Sequence, residues 1–169
     1  MSDWNQDRLL RFLDARGIAY LSAEHAPVAT MADSAQLALS LEGLRCKSLA
    51  VRGKAANRKF LVVAVPDKAV DLAGLGRELG AGRLSLCPHH ELPDLLGVRP
   101  GALSPLALVA DGPPAKFTLV LDRSVAQAPR LLMHPMASTA TVSMSQSDFR
   151  RFLQAVDREA LVRDIPARR

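Results

Sequence analysis

His134 is followed by Pro135 and a run of small and hydroxyl-bearing residues, MASTATVS, between apolar flanks. An imidazole in that setting either packs as a hydrogen-bonded core residue or forms one wall of a reaction site, where its titration near neutrality suits proton transfer. Read from the residues alone, the core histidine is the more frequent outcome. Lys47, in CKSLAV, is a cation inside an otherwise apolar strand pattern. Beside it, Cys46 could act as a thiolate nucleophile, but neighbouring strand residues point to opposite faces, which favours a buried structural thiol. The GALSP stretch from Gly101 to Pro105 can bring backbone close to a ligand and hold it there, because glycine lacks a Cβ and proline fixes φ. Spacing alone makes it an ordinary turn. His89 and His90 are adjacent, a poor arrangement for two ligands on one face, and a Cys87–His89 metal pair lacks further ligands. The sequence carries no CxxC pair, HExxH, Walker A loop or GxSxG elbow, so zinc, nucleoside triphosphate and serine-hydrolase chemistry lack their usual carriers.

These residues need a scaffold, and the chain is long enough for one core. Its 169 residues are 49% hydrophobic, and their formal charge of +5 favours an anionic partner without naming it. Two cysteines and an acidic, amphipathic N-terminus without a leader pattern lead us to expect a cytoplasmic protein with reduced thiols. No apolar run approaches the ~18 residues of a membrane span. Trp4, Leu9, Leu10 and Leu13 share one face of an opening helix with Gly17 at its C-terminal end. ATMADSAQLALSLEG reads as a second helix, ending at Gly43. CKSLAVR and KFLVVAVP form a hairpin across GKAAN. Asp71 caps a short helix, Pro88 suits the first turn of another through HHELPDLLG, and SPLALVA and KFTLVLD read as strands. Ser145 starts a closing helix that aligns Phe149, Phe152 and Leu153, and the terminal DIPARR is expected to fray.

Four segments, in order, carry a more specific message: EHAPVATMADSA (24–35), CKSLAV (46–51), LGVRPGALSPLALVAD (96–111) and HPMASTATVSMSQSDFRRFL (134–153). Together they resemble the family of YbaK and prolyl-tRNA-synthetase-associated editing domains. Within it, they are most like the freestanding bacterial editors of alanyl-tRNA bearing the proline anticodon. The likeness spans roughly residues 5 to 155. It implies an α+β fold: a single YbaK-like domain, residues 1–160, whose central mixed, mainly antiparallel, barrel-like sheet is surrounded by helices. A basic C-terminal tail, 161–169, follows.

The resemblance also implies an activity and a site. The reaction is hydrolysis of the ester joining a small amino acid to tRNA(Pro), alanine first, with no metal or cofactor required. Lys47 matches the lysine of the family's Lys-Asn-Leu motif and is assigned to the terminal phosphate or ribose of the acceptor end, and Gly101 and Pro105 match its Gly-x-x-x-Pro loop. Backbone amides there, with Ala102, Leu103 and Ser104, are expected to anchor the aminoacyl group. His134 matches the His-Pro motif and lines the aminoacyl pocket, limiting its size, orienting the substrate amine or positioning water, while the substrate's own ribose hydroxyl helps activate that water. Pro135 and Ser138 shape the adjacent wall. Two positions depart from the alanine-selective pattern: Ser48 and Ser138 stand where asparagine is common. Either change can redirect selection among alanine, serine, threonine, cysteine and 2-aminobutyrate, since one methylene is worth only ~1 to 3 kcal/mol.

Between residues 45 and 59 lie Arg45, Lys47, Arg52, Lys54, Arg58 and Lys59 with no acidic residue. Lys54 and Arg58 are the expected contacts to the tRNA backbone, beside Lys47. Without a separate anticodon-reading domain, tRNA choice rests on the acceptor stem or on a partner such as prolyl-tRNA synthetase or elongation factor. A noncatalytic tRNA-binding module and a Cys46-dependent small-molecule hydrolase are the alternative readings.

Overall fold

The computed structural model describes residues 2–27 and 41–169. The second helix expected over ATMADSAQLALSLEG falls mostly outside the described residues. The opening helix α1 spans Gln6–Ala15; the Asn5 side chain accepts from the Arg8 amide, and Leu9 and Leu13 are buried. Gly17, just past its end, takes φ +64°, the left-handed turn that glycine adopts without a steric penalty.

Among the described residues, the strands form two open sheets. One has the order β1 (Leu21–Glu24), β8 (Ala140–Ser145), β7 (Arg130–Met133), β2 (Leu44–Arg45). The other runs β5 (Leu84–Leu86), β3 (Lys47–Gly53), β4 (Lys59–Ala64), β6 (Phe117–Asp122), β9 (Ala160–Arg163). Antiparallel pairings (β1/β8, β7/β8, β3/β4, β3/β5) outnumber the parallel ones (β2/β7, β4/β6, β6/β9). The fold is therefore the mixed α+β domain expected, but its barrel-like closure is corrected. β2 ends after two residues, and the chain crosses at Cys46 into the other sheet.

β4 shows why KFLVVA is continuously apolar. Leu61 and Val63 join the main core with Leu9, Leu131, Val142 and Phe149, whereas Phe60, Val62 and Ala64 face a second cluster with Leu75, Val120 and Ile165. A central strand covered on both sides has no solvent face to mark with polar residues.

Two further expectations are corrected. SPLALVA is not a strand: Pro105–Ala110 forms a 3-10 helix whose first turn is capped by Ser104, its hydroxyl accepting from the Leu106 amide at 3.1 Å. Proline at the first helical position and a serine cap before it outweigh the β-like apolar run. DIPARR does not fray. Ile165 is buried, the Asp71 amide donates to Pro166 O, and the Arg168 amide donates to Ala69 O. The helix α2 (Leu72–Leu79) begins at Asp71, whose side chain accepts from Gly74 N as expected. Pro88 precedes a 3-10 turn, His89–Glu91, and α3 (Leu92–Leu96) follows with Pro93 in its first turn. The short α4 (Arg123–Gln127) joins β6 to β7. Finally α5 (Gln146–Ala155) begins at Ser145, whose hydroxyl accepts from the Asp148 amide, and buries Phe149, Phe152 and Leu153. Among the described residues, no helix is long and apolar enough to cross a membrane.

Candidate active site

A small pocket opens where the chain passes from one sheet to the other. Arg45, Cys46 and Ser48 come from the crossing, Leu103, Ser104 and Pro105 from the loop before the 3-10 helix, and Leu132, Met133, His134 and Thr141 from β7, its turn and β8. The pocket encloses about 370 Å³ with its open mouth and narrows inside to room for about one water, or a group of similar size.

His134 is held by its own turn. Its Nδ1 lies 2.9 Å from Ala140 O. A carbonyl only accepts, so Nδ1 carries the proton in the neutral ring, and Nε2 is left as an acceptor with no hydrogen-bond partner among the described residues. Burial pushes the His134 pKa below its ordinary 6.5; the bond to Ala140 opposes this, and His25 and Arg45 add to the depression. The imidazole is therefore neutral at physiological pH, suited to accept a proton or a hydrogen bond.

Ser104 joins two of the expected motifs. Its hydroxyl donates to His134 O at 2.6 Å while accepting from Leu106 N. The side chain is 3% exposed, and one donor and one acceptor are both used inside the protein. Ser104 thus locks the Gly101–Pro105 loop to the His-Pro turn. Within that loop the amides of Ala102, Leu103 and Ala107 bond to Arg99 O, Pro100 O and Ser104 O. Pro100 and Pro105 have no N–H. The amides of Gly101 and Ser104 remain as its donors without a partner among the described residues.

The other expected site residues divide. Ser48, Leu103, Ser104, Pro105 and His134 line the pocket. Gly101 and Ala102 form the 3-10 turn just before it, and Pro135 and Ser138 lie in the β7–β8 turn without lining it. Lys47 is elsewhere. It lines a separate cleft with Leu49, Arg83 and Arg168, and its Nζ donates to Lys68 O. Lys68 in turn reaches Asp122 at 2.7 Å and Ile165 O at 2.8 Å, tying β3 to β6 and the C-terminal segment. Burial lowers the Lys47 pKa, Arg168 lowers it further, and Asp67 opposes. Lys54 lines a third cleft with Arg52 and Arg83, and Arg58 stacks over Phe60 and donates to Leu79 O.

Three features at the pocket were not among the expected site residues. Cys46 lines the pocket, but burial pushes its thiol up to about 12, so it stays protonated and is no nucleophile at neutral pH. Thr141, 5% exposed, stands on the wall. His25 sits behind it, 2.8 Å from Thr141 Oγ1 and 6.1 Å, ring to ring, from His134. His25 lies in one of the four quoted segments, yet no spacing in the sequence relates position 25 to 134.

An α+β domain with a small pocket between two open sheets, walled by a neutral histidine and a capped loop, is the class of protein that fold and site define. The model of the aminoacyl-tRNA editing domain matches residues 25–152, and the chain belongs to that family. It is 34% identical over 148 residues to prolyl-tRNA synthetase associated domain-containing protein 1 of Danio rerio, covering 86% of this chain and 79% of that one. It is 29% identical over 143 residues to the prolyl-tRNA editing protein ProX of Acetoanaerobium sticklandii, covering 85% and 87%. The fold matches a solved structure described as a candidate trans-editing enzyme for prolyl tRNA synthetase, with a TM-score of 0.70 at 20% identity over 99% of this chain and 100% of that chain.

Proposed function

We propose that this protein is an aminoacyl-tRNA deacylase that removes a small, mistakenly attached amino acid from tRNA(Pro), alanine first. The reading rests on one observation: residues 45, 46, 48, 103–105, 132–134 and 141, distant in sequence, wall a single narrow pocket suited to a small side chain. In the proposed reaction, water adds to the ester carbonyl carbon, the carbonyl oxygen becomes anionic, and collapse expels the terminal ribose oxygen, which takes a proton. Free amino acid and uncharged tRNA leave. The Gly101 and Ser104 amides are the donors we assign to the developing oxyanion. His134 Nε2 orients the amine or the water, with the substrate's neighbouring ribose hydroxyl assisting. Lys47, Lys54 and Arg58 are assigned to the nucleic acid, their charge serving binding more than bond cleavage. Prolyl-tRNA synthetase or elongation factor is the partner we would expect to deliver the tRNA.

A second substrate is favoured by the hydroxyl of Ser48 on the pocket wall. Where a longer asparagine would fill space, serine leaves room and a hydroxyl, which suits serine or threonine as the removed amino acid. The test is deacylation of tRNA(Pro) charged in turn with alanine, serine, threonine, cysteine, 2-aminobutyrate and proline, beside a His134→Ala control. Rapid loss of one small ester, spared proline and a slow variant support editing and name the substrate. Survival of every ester at the spontaneous rate sinks the reading.

A further inference from the structure

The pocket holds a second polar arrangement that its histidine does not explain. Thr141 lines the pocket, and its Oγ1 lies 2.8 Å from His25 Nε2. His25 Nδ1 lies 2.8 Å from Ala26 O. Since a carbonyl only accepts, Nδ1 of the neutral ring must donate, and Nε2 can only accept. The Thr141 hydroxyl proton is therefore directed back into the protein, and its oxygen lone pairs are what remain for the pocket. The same logic acts on His134, where Ala140 O holds the proton on Nδ1 and leaves Nε2 as an acceptor. Two backbone carbonyls thus set two tautomers, which leave acceptors on two residues that line one pocket, His134 and Thr141. The His25 position is itself fixed, its amide donating to Thr139 O at 2.8 Å beyond the β1/β8 ladder.

A pair of converging acceptors calls for a ligand group rich in donors. In an aminoacyl ester the carbonyl and ester oxygens are acceptors, and only the α-ammonium offers several N–H groups. Arg45 on the same wall is engaged by a partner of its own. We propose, resting on the deacylase reading, that Thr141 contacts the substrate α-ammonium and that His25 is a positioning residue which holds the Thr141 hydroxyl as an acceptor. The pocket then recognises an amino acid by its amine as well as by its size. If His25 were absent, the hydroxyl could rotate and offer its proton to the ammonium, a mismatch instead of a bond.

The propionyl ester is alanine without its amine, and it tests this with no added bulk. We would measure kcat/KM on alanyl-tRNA(Pro) and propionyl-tRNA(Pro), each relative to its spontaneous hydrolysis. In parallel we would measure binding of the non-hydrolysable 3′-alanylamido and 3′-propionylamido tRNA analogues. The proteins are wild type, Thr141→Val, Thr141→Ser and His25→Ala. Wild type should prefer the amine-bearing form about 10- to 100-fold, the range for one hydrogen bond to a charged group. Thr141→Val, equal in shape, should lose that preference by weakening on the alanyl form alone. His25→Ala should do the same, and Thr141→Ser should restore most of it. A preference that survives in Thr141→Val, or equal losses on both forms, overturns the proposal, because a merely structural role lowers both alike. If wild type hydrolyses no ester yet binds the alanyl amide preferentially through Thr141, the amine site stands and the deacylase reading falls. If it binds neither analogue, both fall.

Discussion

The two faces of the chain around position 47 carry different chemistry at adjacent residues. On one face Cys46 and Ser48 enter the small pocket with His134 and Thr141, a site of hydroxyls, a protonated thiol and a neutral imidazole. On the other, Lys47 enters a wider cleft with Arg83 and Arg168, and anchors to Lys68 O. Alternation along the extended backbone separates them, and the different widths suit different ligands: the narrow side an amino acid, the broad cationic side a polyanion. A residue can therefore match a family motif and still lie on the face away from the histidine.

The sharpest way to break this contrast is His134→Ala. Removing the His134 acceptor should slow deacylation about 10²- to 10³-fold, a loss well beyond the ~1 to 3 kcal/mol in thermal unfolding expected when Ala140 O loses its Nδ1 donor. A small effect would mean that the pocket is not where the ester sits. The pH profile sharpens the same point. Because burial depresses the His134 pKa, the rate above spontaneous hydrolysis should stay level through neutrality. It should fall only below the ordinary histidine value, about tenfold per pH unit, as protonation turns Nε2 from acceptor to donor.

For the cationic face, Lys47→Ala should raise KM for charged tRNA about tenfold, change kcat less than threefold and reduce the salt slope of binding by about one. A collapse of kcat at saturating tRNA would instead bring the Lys47 ammonium to the scissile ester and erase the division between faces. Ser104→Ala leaves His134 O and the Leu106 amide without their partner. It should cost about 1 to 3 kcal/mol in thermal unfolding and loosen the pocket. The smallest effect is expected at Cys46. Cys46→Ala should retain activity within about threefold, and thiol alkylation near pH 7 should be slow, because burial holds the thiol protonated.

Much of the scaffold was legible along the chain. The caps at Asp71 and Ser145, the hairpin across GKAAN and the apolar stripes of α1 and α5 all follow from local rules, and local rules survive folding when nothing tertiary opposes them. SPLALVA failed because a short apolar run fits strand and helix alike, and the decision lay in the Ser-Pro start. The buried C-terminus was illegible for another reason: Ile165 and Pro166 find their partners, Asp122 and Asp71, in segments far upstream.

The candidate site divides in the same way. The resemblance of ordered local motifs, more than any single residue, singled out His134, Ser48 and the Gly101–Pro105 loop as candidates, and Ser48, Leu103, Ser104, Pro105 and His134 share one pocket. Strand alternation already set Lys47 opposite Cys46 and Ser48; tertiary structure alone decided which of the two faces holds the histidine, that Ser104 joins loop to histidine, and that His25 stands behind Thr141. Those facts depend on which strand pairs with which and where the chain crosses between sheets, and a linear spacing carries no record of either.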